Sequence, residues 1–232
     1  MIRAYLELLK LKQTGLLVWT AFAAYLIAAN RELEVSVLGL LTGSIFLAVS
    51  GTTATSMYFD SNIDVLMDRT KNRPIPSKRI APWRALVFGL ALLGLGLFLA
   101  LFLNWLVILI IITGAIFNIV VYTLILKKRT PLSILFGGIA GGMPTLAGWT
   151  AYVEKIELSG ILLALMILVW IPTHVLNLAL FHVHDYEKAN VPMFPVVVGQ
   201  KKTREVILLA NIVLTVLAFS FYVLGIFGRT YL

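Results

Sequence analysis

The 232-residue chain is 60% hydrophobic, has a mean hydropathy of +0.95 and carries only 13% charged residues; a soluble domain has about 25% charged and 45–50% apolar residues. With several apolar runs near the ~20 residues that a helix needs to cross a ~30 Å hydrocarbon core, this excludes a soluble domain and predicts an all-α, polytopic transmembrane helix bundle in the lipid bilayer. The absence of cysteine excludes disulfides, thiol catalysis and Cys-ligated metals, and the net charge of +8 is read as membrane orientation, with no nucleic-acid partner.

The N-terminal stretch MIRAYLELLKLKQTG is basic and amphipathic, and no cleavage pattern follows it. Seven spans are predicted, at 14–29, 36–56, 84–103, 105–126, 132–152, 158–181 and 205–227. The segments between them alternate in charge. Arg3, Lys10 and Lys12 precede the first span, and Arg69, Lys71, Arg73, Lys78, Arg79 and Arg84 follow the second. Lys127, Lys128 and Arg129 follow the fourth, and Lys188, Lys201, Lys202 and Arg204 separate the last two. If every span crosses once, these sixteen of the nineteen cations share one side. The other side holds Arg31, Lys155 and Arg229 with Glu32, Glu34, Glu154 and Glu157. Positive charge marks the cytoplasmic face, so the N-terminus is expected inside. Asp60, Asp64, Asp68, Asp185, Glu187, His182 and His184 fall on that same face, where a site is expected.

The second span runs into DSNIDVLMDRTKNRPIP without Gly or Pro before Pro74. If the helix continues, Asp60, Asp64 and Asp68 share one face and repel one another. A divalent cation would reverse that sign, and magnesium favours carboxylate oxygens shared with substrate phosphates. Arginines just beyond suit a phosphate partner. A solvated loop whose acids pair with neighbouring bases is the plainer reading. Against it stands a second polar corner, FHVHDYEKANVPMFP, after the sixth span. On a helix there, His182 and Tyr186 share a face with Asp185 beside them, and the two corners look like two sides of one site.

DSNIDVLMDRTKNRPIPSKRI resembles the first signature of the UbiA superfamily of intramembrane prenyltransferases, closest to its protohaem IX farnesyltransferase branch. VVYTLILKKRTPLSILFGGIAGGMPTLAGWTAY and WIPTHVLNLALFHVHDYEKANVPMFPVVVG are similar to later segments of that branch, as is YLELLKLKQTGLLVWTAFAAYL. The resemblance covers roughly residues 5–205 and implies one prenyltransferase domain over residues 1–232. It implies Mg²⁺, a prenyl diphosphate donor and a hydrophobic acceptor, haem in this branch. Asp60 and Asp64, with Asp185 at a second ion, would hold metal. Arg69, Lys71, Arg73, Lys127 and Arg129 would neutralise diphosphate, and Tyr122 would face an allylic cation. Ser56, His174, His182 and Tyr186 would line the substrates.

Three departures are expected to matter. Ser56 stands where the family has Asn, His184 replaces the first of two adjacent acids, and seven spans replace the usual nine, as in a truncated or short member with one wall open. The acceptor alternatives are a quinone precursor, a chlorin or an archaeal glycerol lipid; the non-enzyme alternatives are a transporter or an assembly factor on the same fold. Lys127, Lys128 and Arg129 also read as a positive-inside anchor. Gly137, Gly138, Gly141 and Gly142 read first as close helix packing, with room for a flat acceptor as the other use.

Overall fold

The computed structural model describes residues 2–30, 32–223 and 225; Arg31, Arg229 and the end of the predicted last span lie outside the described residues. Ten α-helices and one π-helical segment follow one another, and no strand occurs among the described residues. The long elements are α2 (Leu11–Ala29), α3 (Val35–Asp64), α4 (Pro82–Ala100), α5 (Trp105–Ala115) running into a π-helical segment (Ile116–Leu126), α6 (Ser133–Val153), α7 (Leu158–Phe181) and α10 (Gln200–Val223). Short α1 (Ile2–Leu8), α8 (Val183–Lys188) and α9 (Phe194–Val198) join them.

Six of these, counting α5 with its π continuation as one, are long and apolar enough to cross a membrane. The seventh predicted span is α6, 21 residues long but diluted by Gly137, Gly138, Gly141, Gly142 and Gly148. It sits inside, packed on α2, α5 and α7, so little of it needs an apolar exterior. Glycines permit that approach. A Cβ at Gly142 would lie 2.8 Å from the Ala164 carbonyl oxygen of α7, and one at Gly138 would lie 3.1 Å from that of Leu168. These two glycines pack helix on helix, while Gly137 and Gly141 line a cavity.

The four basic segments meet at one end of the bundle. Arg79 grips Glu7, Lys127 reaches Asp60, and Lys188 reaches Asp68. At the other end Tyr152 donates to Glu32, and Asn104 caps α5 while donating to Thr150 of α6. α3 is 30 residues long, about 45 Å at 1.5 Å per residue, well beyond a ~30 Å hydrocarbon core. Its end therefore stands clear of the apolar slab. The helix stops at Asp64, not at Asp68, so the expected face of three aspartates is a face of two.

Candidate active site

Asp60 and Asp64 are buried on the last turns of α3, and each receives a cation from elsewhere. Lys127, which closes the π segment, reaches Asp60 Oδ2 at 2.6 Å. Arg73 donates through Nη1 to both Asp64 oxygens, at 2.9 and 2.7 Å. The loop bearing Arg73 is shaped by the Thr70 hydroxyl donating to the Asp64 carbonyl and by Arg79 holding Glu7 of α1 at 2.9 and 2.6 Å. Burial opposes charge on Lys127, but Asp60, Tyr122 and Asp64 outweigh it and hold the ammonium above the ordinary lysine value.

Lys10 joins this group, although its sequence position marks it only as a topology signal. It occupies the left-handed bend between α1 and α2, at φ 44°. Burial, then repulsion from Arg73 and Lys127, brings its ammonium down to about 7 against the pull of Asp60 and Asp64. The one available clue was a lysine pair, Lys10 and Lys12, opening the first span.

The second corner meets the first. Asp185 and Tyr186 of α8 are buried. The Asp185 oxygens accept the backbone N–H groups of Asp68 and Arg69, both at 3.1 Å. Arg69 donates to the Tyr186 hydroxyl at 3.2 Å and lies over its ring. Lys188 and Lys71 each stand 2.7 Å from Asp68 and hold its carboxyl down to about 2. Asp68 and Lys71 are exposed there, paired with each other, as are His184 and Glu187 at 3.1 Å. Arg129 is exposed as well. His182 Nδ1 lies 4.0 Å from Asp185, in a shallow cleft of about 390 Å³ with Arg69 and Phe181.

Deeper than the ion pairs lies a cavity of about 540 Å³, walled by α2, α3, α5 with its π continuation, α6 and α7 and mostly apolar. Tyr122, Asn118, Trp170 and His174 line it. The Tyr122 ring rests on Gly137, where a Cβ would stand 3.3 Å from it, and the Lys127 ammonium is 5.9 Å from the ring centroid. Trp170 and His174 stack at 5.0 Å with planes 11° apart. Ser56, one turn deeper than Asp60, donates to Asn118 Oδ1 at 2.6 Å. Asn118 was not legible as a site residue; a lone polar side chain in IFNIVVY was its only signal.

The donor chemistry fits a small hard cation at Asp60 and Asp64. Asp60 Oδ1 is buried without a hydrogen-bond partner among the described residues, which is costly unless a ligand completes it. No three acidic or histidine side chains among the described residues form a metal site by themselves, so an ion here would draw further ligands from water or from substrate oxygens.

Two buried carboxylate–cation pairs and a mostly apolar cavity, set in a helical bundle with six helices long and apolar enough to cross a membrane, define a multi-pass membrane protein. Residues 17–232 match the UbiA prenyltransferase family. The chain belongs to that family and is a prenyltransferase. It is 42% identical to the protoheme IX farnesyltransferase of Korarchaeum cryptofilum over 97% of this chain and 76% of the relative. It is 40% identical to that of Archaeoglobus fulgidus over 100% of this chain and 81% of the relative. Among solved structures, a digeranylgeranylglyceryl phosphate synthase matches with a TM-score of 0.77 at 26% identity, covering 97% of this chain and 78% of its own. A UbiA homolog from Archaeoglobus fulgidus bound to GPP and Mg²⁺ matches with a TM-score of 0.78 at 17% identity, covering 95% and 78%, and shares the fold.

Proposed function

We propose that residues 1–232 form one magnesium-dependent transferase domain that moves a farnesyl group from its diphosphate to protohaem IX, giving haem O, at a site facing the cytoplasm. The observation that carries this reading is the two ion pairs Asp60–Lys127 and Asp64–Arg73 near the 540 Å³ cavity, whose wall includes Tyr122, 5.9 Å from the Lys127 ammonium. The names of the relatives support the donor and acceptor.

Asp60 and Asp64 would hold Mg²⁺, with Asp185 nearer a second position; the ion supplies charge neutralisation on the diphosphate. Lys127 and Arg73 move their charge to phosphate oxygens, with Lys10 and Arg69 at the rim and Lys71 and Arg129 further out. The prenyl tail fills the cavity, and walls of α6 and α7 keep water from the reacting carbon. As the C–O bond breaks, its electron pair stays with the diphosphate, and the Tyr122 ring faces the allylic cation. The acceptor vinyl group then bonds through its terminal carbon to that carbon, and the cation left on the inner vinyl carbon takes up water and loses a proton to give the hydroxyl of the product. Trp170 and His174 offer the acceptor a flat, stacked surface. His182 acts from the outer cleft, and Tyr186 beside it through its contact with Arg69.

The likeness to digeranylgeranylglyceryl phosphate synthase favours a second reading, transfer to a glycerol lipid, though at lower identity. Product analysis of the purified protein with Mg²⁺, farnesyl and geranylgeranyl diphosphate, and haem or glycerol-phosphate lipid separates the two. We expect farnesylated haem alone. Asp60→Asn and Asp64→Asn are each expected to lower turnover by about 10²–10³-fold, the scale of a lost electrostatic stabiliser; full turnover in either would exclude the metal–diphosphate mechanism.

A further inference from the structure

We infer that Asn118 donates its side-chain amide to the diphosphate oxygen from which the prenyl carbon departs, and that Ser56 is the positioning residue that aims this amide. The inference rests on the function proposed above and adds a residue that the acidic motifs do not contain.

Ser56 stands where the resembling family carries Asn, so α3 of this chain lacks an amide one turn below Asp60. An amide is nonetheless present at that height, supplied from the facing π segment. Asn118 Oδ1 accepts the Ser56 hydroxyl at 2.6 Å. That bond fixes which way the carboxamide points, because its oxygen is now used and its nitrogen is not. Asn118 Nδ2 makes no hydrogen bond among the described residues, and Asn118 lines the cavity. Two N–H donors are thus left open at the cavity wall, available to a ligand that enters it.

The height of the amide identifies the accepting atom. Ser56 is four residues before Asp60, about 6 Å deeper along α3, and Asn118 is four before Tyr122 on the π segment. The donors therefore lie in the part of the chamber nearest the ion pairs proposed to take the diphosphate. The ester oxygen joining head to tail belongs at that junction. When its bond to carbon breaks, the electron pair and the growing negative charge stay on this oxygen, and a fixed donor stabilises that charge. π-helical turns are frequent at functional sites, and here one brings the amide opposite Ser56.

The test compares Asn118→Asp, Asn118→Ala, Ser56→Ala, the double Ser56→Ala/Asn118→Ala and the exchanged pair Ser56→Asn/Asn118→Ser. Diphosphate release from farnesyl diphosphate is followed with Mg²⁺, alongside binding of farnesyl thiolodiphosphate by tryptophan fluorescence. Asn118→Asp keeps the oxygen that Ser56 bonds but removes the donors. It is expected to lower kcat by about 10²-fold with KM and analogue affinity nearly unchanged, as for removal of one transition-state donor. Ser56→Ala should lose less, and Ser56→Ala with Asn118→Ala no more than Asn118→Ala alone, since the two act as a unit. The exchanged pair should recover most of the loss. Unchanged kcat in Asn118→Asp and Asn118→Ala, losses confined to KM or analogue binding, or additive losses would overturn the proposal. Failure of the unsubstituted protein to bind or consume any prenyl diphosphate would instead overturn the proposed function, and this inference with it.

Discussion

Lys127 and Arg73 sit on carboxylate oxygens of Asp60 and Asp64; in the mechanism proposed above they would compete with a divalent ion for those two groups before substrate binds and partner phosphate afterwards. Lys127→Met separates these roles. Without substrate, affinity for Mn²⁺ or Mg²⁺ by calorimetry should rise by roughly three- to tenfold, the worth of a partly screened pair of about 1 kcal/mol. Turnover of prenyl diphosphate should fall at the same time. A parallel loss of both would mean that Lys127 only supports the fold. The two aspartates were legible from their spacing, because a helix face is a local property. Asn118 and Lys10 were not, because their roles depend on partners 62 residues away in one case and on a left-handed bend in the other. Asp68 shares their spacing but lies outside the expected metal set: α3 ends before it, and two lysines pair with it on the surface.

The position of those aspartates depends on how α3 meets α4. Ser44, Ala48, Gly51 and Thr55 of α3 face Gly89 and Gly96 of α4. Ser44 donates to the Gly96 carbonyl at 2.8 Å, and a Cβ at Gly89 would stand 2.6 Å from Thr55 Oγ1 and 2.9 Å from the Gly51 carbonyl. Small residues allow such approach in membranes. Gly89→Leu is expected to force the helices apart and cost about 1–3 kcal/mol, the scale of overpacking, seen as a lower unfolding temperature in detergent. An unchanged temperature would show that this seam does not limit stability. Most helices were legible to within a few residues, and α7 coincides with the predicted 158–181 because its apolar run has clear polar ends. α3 continues past the predicted 56 because its polar end is paired to cations from other segments. The π winding of 116–126 has no compositional signature in IFNIVVYTLIL, since it is selected by packing against α3 and α6.

At the scale of the whole molecule, the charge bias along the chain and the contacts in space agree on one charged end. All four basic segments meet there, through Arg79–Glu7, Lys127–Asp60 and Lys188–Asp68. The chain contains no cysteine, so single cysteines report side directly. Glu157→Cys should react with a membrane-impermeant maleimide on intact cells, whereas Ser77→Cys and Lys202→Cys should react only after permeabilisation. The opposite pattern would invert the proposed orientation. Asp185 adds a temporal consequence to this geometry. Its carboxylate closes contacts 117 and 116 residues away in sequence, on the backbone just beyond α3. During synthesis the earlier spans can enter the bilayer while the loop after Asp64 still lacks this anchor. Only when α7 is threaded and α8 has left the ribosome can Asp185 anchor that loop, so the charged end of the bundle closes late in the chain's own translation.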